Sequence, residues 1–283
     1  MELVNGVFEI AEEFINNAKY VKINKVNVEK ISTFLKKISP KKVIQKQYPT
    51  QKEILIELVA SSINYCYWYG VSTIRPNGSS SSYLYEIIHN SFYDYENSTT
   101  SFESCLNVLI QTLSIKRFPL LEQRIIHLKQ LLEYDKGIKF VESIQHEKNF
   151  EYYLNGLVSI FPSFGSDIFL KRASLFFIEI YRKYGWFEEY MYKLHVPADY
   201  QIPRVLNHYG CIEYHGDVDV KIIKEKLIPK HSKMECEIRA ATILTIKQIC
   251  DNTGWNVSDV DDFFFWKRKI VNKPFHLCIT TDY

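Results

Sequence analysis

A paired-cysteine motif, a long apolar run and an excess of either charge sign are all missing from this 283-residue sequence, and each absence excludes a class of function. The six cysteines, Cys66, Cys105, Cys211, Cys236, Cys250 and Cys278, stand singly with no CxxC, which rules against a disulfide scaffold or a zinc ribbon and leaves reduced, partly buried thiols. Cys66 and Cys236 lie in aromatic or acidic surroundings that raise a thiol pKa, so neither is expected to act as a nucleophile. The segment from Met1 to Ile10 carries acidic residues and no apolar core of signal-peptide length. No later stretch approaches a membrane span, so the expectation is a cytoplasmic protein with no membrane partner. A glycine-rich phosphate loop of the Walker or dinucleotide type is absent too.

Lysine and arginine number 35 against 33 aspartate and glutamate, a formal net charge of +2, and phosphate-tracking proteins need a much stronger basic stripe. Long nucleic acid is therefore not an expected partner, whereas a small anionic ligand is compatible. A local basic patch such as the trio Lys267-Arg268-Lys269 is present, and such trios are more often solvated helix ends. His208, Cys211 and His215 have metal-like spacing, but Gly210 and the end of a helical pattern put them on a turn. No second cluster completes a tetrahedral set, and neither metal nor cofactor is expected.

What the chain does have is apolar residues at helical period: 46% of it is hydrophobic, enough for a substantial core. Val7, Ile10, Ala11, Phe14, Ile15 and Ala18 recur at spacings of three and four, as do Leu120, Leu121, Ile125, Leu128, Leu131 and Leu132. Further helices are predicted over 28–38, 52–69, 83–90, 102–113, 150–160, 168–184, 203–209, 219–226, 232–253 and 257–269. Strand patterns are confined to 20–23 and 277–281. Turn residues fall between these segments, notably Pro76-Asn77-Gly78 with the serines to Ser82, and the polar 94–101 stretch is the other loop. With neither repeat nor interdomain linker, residues 1–283 read as a single all-α multi-helix domain and a monomer. Tyr, Phe and Trp make up 15% of residues; most of these rings would pack, and a minority could form a slot for a planar base.

The most informative segment is His195-Val196-Pro197-Ala198-Asp199-Tyr200-Gln201-Ile202-Pro203-Arg204-Val205-Leu206. Pro203 suits the first turn of a helix, so Asp199 falls at the helix mouth, where free amides and the dipole favour a negative charge. From these residues alone, an ordinary capping aspartate is a better explanation than catalysis.

Other segments change the balance. Ala198-Asp199-Tyr200-Gln201-Ile202-Pro203 resembles the Ala-Asp-Tyr-x-(Ile/Val)-Pro segment of the queuosine salvage family. Phe161-Pro162-Ser163-Phe164, Phe169-Leu170-Lys171-Arg172-Ala173 and Asn64-Tyr65-Cys66-Tyr67-Trp68 are similar to further motifs of that family. So are Glu235-Cys236-Glu237-Ile238-Arg239-Ala240, Phe265-Trp266 and Pro274-Phe275-His276, together with Ala18 to Asn24 and Pro119 to Arg124. In order, these matches run along nearly the whole chain. The serine-rich loop to Ser82 and the Gly165-Ser166-Asp167 turn depart from the family pattern.

The resemblance implies an all-helical fold like that of helix-hairpin-helix DNA glycosylases. It also implies hydrolysis of queuosine 5'-phosphate to the base queuine, with Asp199 as the catalytic carboxylate. Cleaving C1'–N9 builds oxocarbenium charge on the ribose, which a fixed carboxylate stabilises while it orients water. Trp68 and Phe164 are the stacking candidates, Asn64 and Asp167 candidates for the base edge, and Asn64 and Trp68 would share one helix face. Lys171 or Arg172 would meet the phosphate, Tyr200 would border the substrate, and Glu237 would hold ribose hydroxyls or join Arg239 in a buried ion network. Competing readings are a glycosidase for a related deazapurine nucleoside and a non-catalytic protein that binds queuine or tRNA.

Overall fold

A computed structural model describes residues 2–40, 47–69, 80–95, 100–144 and 149–283. The Pro76-Asn77-Gly78 turn with Ser79, and the centre of the 94–101 loop, lie outside the described residues. Helices dominate, and the fold is all-α: the described residues contain one sheet, of two short strands. The chain falls into two compact units, one of residues 1–46, 167–279 and 283, the other of 47–166 and 280–282.

The first unit is organised around a helix that is buried on nearly every side. Its elements are α1 (Glu2–Asn16), β1 (Val21–Ile23) and α2 (Lys25–Leu35), continuing after the other unit's residues with α10 (Lys171–Tyr184), α11 (Glu188–Met191), α12 (Gln201–His208), β2 (Ile212–Tyr214), α13 (Asp217–Ile223), α14 (Lys233–Thr253) and α15 (Val257–Lys267). The central helix is α14, against which α1, α2, α12, α15 and β1 all pack. Apolar and charged residues alike are enclosed on it between Glu235 and Ile249, with Lys247 the exposed exception. Ser232 caps its start, and Gly254, at φ 76°, ends it in the left-handed conformation that glycine adopts without strain. The two strands pair antiparallel, Val21 opposite Tyr214 and Ile23 opposite Ile212.

The second unit contains α3 (Gln51–Ser62), α4 (Ser80–Ser91), α5 (Phe102–Ile115), α6 (Leu121–Leu132), α7 (Lys136–Ser143), α8 (Phe150–Ile160) and α9 (Pro162–Gly165). Its first helix opens with a reciprocal capping box between Thr50 and Glu53 and is buried from Ile54 to Ser62. The helical pattern continues to Tyr69, but the helix stops at Ser62. The cause is tertiary: buried Arg124 donates from Nη1 to the carbonyl of Ile63 and, at 2.5 Å, from Nη2 to that of Tyr65. Cys66 then turns back at φ 39°. Arg124 also donates from Nε to Pro119 at 2.8 Å, and its guanidinium lies 4.4 Å from the centre of the Tyr65 ring. Asn64 and Trp68 therefore sit on an irregular segment, and the shared helix face expected for them does not form.

Two further expectations are corrected. Residues 277–281 form no strand and contribute one isolated bridge, Leu227 with Leu277, while a strand occurs instead at Ile212–Tyr214. The helix expected from Ile168 begins at Lys171, because Leu170 takes φ 45° and Asp167 supplies the acceptor for the first turn.

Replacing Arg124 by Ala leaves three buried carbonyls without their charged donor. The expected cost is about 3 kcal/mol of stability, seen as a lower urea midpoint with an unchanged slope; an unchanged midpoint would refute this role for Arg124.

Candidate active site

Asp199 sits where the chain enters α12. Its Oδ1 accepts the backbone N–H of Gln201 at 2.6 Å and that of Ile202 at 3.2 Å, so one oxygen is pinned to the helix mouth. Oδ2 accepts no hydrogen bond among the described residues, and the side chain is only half-buried. The sequence placed this aspartate correctly at a helix start. Geometry adds that one oxygen is held and the other is open.

A rigid frame lies directly behind it. Arg239, fully enclosed on α14, donates Nε to the carbonyl of Ala198 at 3.2 Å, which fixes the residue before Asp199. The same guanidinium forks onto Asp167, Nη1 to Oδ1 at 2.8 Å and Nη2 to Oδ2 at 2.6 Å, and reaches Glu235 at 3.4 Å. Phe169 and Tyr283 flank the guanidinium, with ring centres 4.8 and 4.5 Å away. Asp167 also accepts the amides of Phe169 at 3.0 Å and Lys171 at 2.8 Å. Burial works to raise the carboxyl pKa of Asp167, but the charge and hydrogen bonds of Arg239 and those two amides outweigh it and hold it below the ordinary value.

Four donors saturate the lone pairs of Asp167, so it has nothing left for a guanine edge. Glu237 is committed in the same way: it accepts the amides of Lys19, Tyr20 and Val21 at 2.9, 2.6 and 3.1 Å. That carboxylate anchors the start of β1, and its oxygens are held by backbone amides rather than turned to ribose hydroxyls. Arg239 does join a buried ion network, with Asp167 and Glu235 as its partners in place of Glu237.

Lys171 and Arg172 open α10, both almost fully buried. Burial pulls the Lys171 ammonium from 10.5 down to about 8; Asp199 and Asp167 oppose this, while Arg172 and Arg239 add to it. Tyr200 is buried next to Asp199, its ring 4.7 Å from that of Phe275. Lys171, Asp199 and Tyr200 are thus gathered on the frame built by Asp167 and Arg239. Asn64, Trp68 and Phe164 belong to the other unit; Asn64 and Trp68 are half-buried there, and Phe164 is enclosed beside Phe161. Among the described residues no group of three or more His, Cys, Asp or Glu could hold a metal ion, and no helix is long and apolar enough to cross a membrane. The thiol of Cys236 is pushed up to about 12 by burial and by Glu235.

Residues 44–273 match the family model described as queuosine salvage protein. The chain belongs to the queuosine salvage protein family. Three relatives of this family member carry the name queuosine 5'-phosphate N-glycosylase/hydrolase. One, from Schizosaccharomyces pombe, is 26% identical over 194 residues, covering 58% of this chain and 54% of its own. One from Sphaerobacter thermophilus is 31% identical over 106 residues, 33% of this chain and 32% of its own. The third, from Dictyostelium discoideum, is 33% identical over 88 residues, 29% of this chain and 27% of its own. The matched part of this family member thus spans about half the length of the first relative and less than a third of each of the other two.

Sequence reasoning missed Arg204, Arg268 and Phe275 at this site. Arg204 is visible only as a residue on the same short helix as Tyr200, one turn on, and Arg268 is hidden within a basic trio that looks solvated.

Two buried histidines make this unit sensitive to acid. Burial holds His195 at about 4 and His276 at about 3, against 6.5 when exposed. Between pH 6.5 and 4 the unfolded chain therefore binds more protons than the folded one, and stability falls as pH falls. Asp261, raised by burial to about 6, acts in the opposite direction below that pH. From pH 7 to 5 the net loss should be about 2 kcal/mol; denaturant midpoints that do not move over this range would contradict the buried neutral state.

Proposed function

We propose that this protein hydrolyses the N-glycosidic bond of queuosine 5'-phosphate, releasing queuine and ribose 5-phosphate, with Asp199 as the catalytic carboxylate. The observation that carries this reading is the division of labour within that carboxylate. One oxygen is locked by two helix amides and the other is open, so a negative charge has a fixed place beside a developing cation. Family membership and the relatives' names supply the substrate.

As C1'–N9 lengthens, positive charge grows on C1' and O4' of the ribose, and the open oxygen of Asp199 stabilises it. Asp199 takes one proton from water as the oxygen of that water bonds to C1'. The electron pair of the broken bond leaves with the base. A 7-deazaguanine has no N7 to protonate, so the departing charge must be met by a donor elsewhere. Lys171 fills that role: an ammonium near 8 is charged at neutral pH yet able to yield its proton, and the field of Asp199 favours its charged form. Arg172 and Tyr200 line the same region, and Asn64, Trp68 and Phe164 are assigned to the base on the family likeness of their segments.

Asp199→Asn should lower kcat by roughly 10²–10⁴-fold with little change in the unfolding midpoint. An active Asn variant would overturn the assignment. Because Lys171 must be protonated, activity should fall as pH rises through about 8, and Lys171→Arg should move that alkaline limb upward. A limb that stays in place would exclude Lys171 as its source.

A further inference from the structure

Two arginines near Asp199 are not used by the reaction as written. Arg204 lies on α12 and donates from Nη2 to the carbonyl of Arg268 at 2.8 Å, which ties the helix to the chain just beyond α15. Its guanidinium is 6.0 Å from the ring of Phe275, and that ring packs on Tyr200, the residue after Asp199. Arg268 turns away from the lysines on either side of it: its guanidinium is 3.5 Å from the ring centre of Phe265 and donates to the Phe265 carbonyl at 2.5 Å. Lys267 and Lys269 lie instead over Phe263 and Trp266.

Neither arginine forms an ion pair with a carboxylate among the described residues. The Nε of Arg204 is buried with no acceptor, as is the Oε1 of Gln201 one turn earlier with no donor. Burial disfavours the charge on both half-buried guanidiniums, and Arg204 adds repulsion at Arg268; the Asp199 carboxylate offsets this only in part, since it reaches them through its field alone. A stable arrangement of this kind lacks an anion. The donors are forks suited to a tetrahedral oxyanion, and two adjacent cations match a dianionic phosphomonoester.

We propose that Arg204 and Arg268 form the phosphate anchor of the Asp199 site, gripping the 5'-phosphate of the nucleotide whose C1' faces Asp199. The assignment deepens the proposed function and rests on it for the identity of the nucleotide. It moves the phosphate from the pair at the start of α10 to Arg204 on α12 and Arg268 just beyond α15. Recognition of the phosphate then follows from α12 itself, which offers Asp199 at its mouth and Arg204 one turn on.

The test is binding of ribose 5-phosphate, measured by calorimetry, to the wild-type protein and to Arg204→Gln, Arg268→Gln and the conservative Arg204→Lys. Circular dichroism melts of each variant confirm folding. The wild type should bind, each Gln variant should weaken binding on the order of tenfold or more, and Arg204→Lys should recover part of the loss. Inorganic phosphate should compete with ribose 5-phosphate on the wild type and lose that effect in the Gln variants. Absence of ribose 5-phosphate binding to the wild type, or equal binding by folded Gln variants, overturns the anchor. If a Gln variant unfolds, Arg204→Lys decides alone, an unchanged affinity counting against the fork. Because the readout is binding, it stands apart from base release: a protein that binds ribose 5-phosphate through these arginines yet releases no base would refute the glycosidase and keep the anchor.

Discussion

The fork between Arg239 and Asp167 is the constraint on which the first unit depends. One guanidinium, enclosed on the central helix, fixes the carboxylate that starts α10 and the carbonyl before Asp199. A buried ion pair is costly to desolvate and seldom the cheapest way to stabilise a core. Here it gives position. It sets where the Lys171 ammonium begins and where the Asp199 carboxylate emerges, and the proposed glycosidic chemistry needs those two charges held in register.

The same helix repeats the device with Glu237, which gathers three consecutive amides at β1. Charged residues at 235, 237 and 239 are all enclosed, Glu237 turned to the amides before β1 and Glu235 within reach of Arg239. A charge-bearing segment of this sort resembles a polar binding site in sequence, which is why Glu237 was offered for ribose hydroxyls beside the alternative of an ion network. Residue type alone cannot separate a carboxylate that meets ribose from one that meets backbone amides, because both need an ionised acceptor in a polar cluster.

Much of the helical frame was legible, and for local reasons. Ser232, Thr50 and Asn256 cap helices that their apolar periodicity predicts, and Pro203 marked the start of α12 to within one turn. Failures came where distant residues decide. Nothing near Ser62 ends its helix; an arginine about sixty positions away does. The strand Ile212–Tyr214 exists because β1 pairs with it, and its three residues are too few to show alternation. Asp199 was placed from a proline and a family-like segment, whereas Arg204 and Arg268 carried no pattern of their own, since their meaning lies in the bond from Arg204 to the Arg268 carbonyl and in the missing acceptor of Arg204 Nε.

The fork also dictates an order of assembly. Arg239 follows Ala198 by 41 positions and Asp167 by 72, and Glu237 reaches back 217 positions to Tyr20. As the chain leaves the ribosome, the loop bearing Asp199 emerges well before the helix that fastens it. Until α14 is made, the carbonyl of Ala198 lacks its buried donor and Asp167 lacks the fork that holds it at the start of α10. A nascent chain that already contains Asp199 and Lys171 therefore lacks the guanidinium that positions them until a later helix is made.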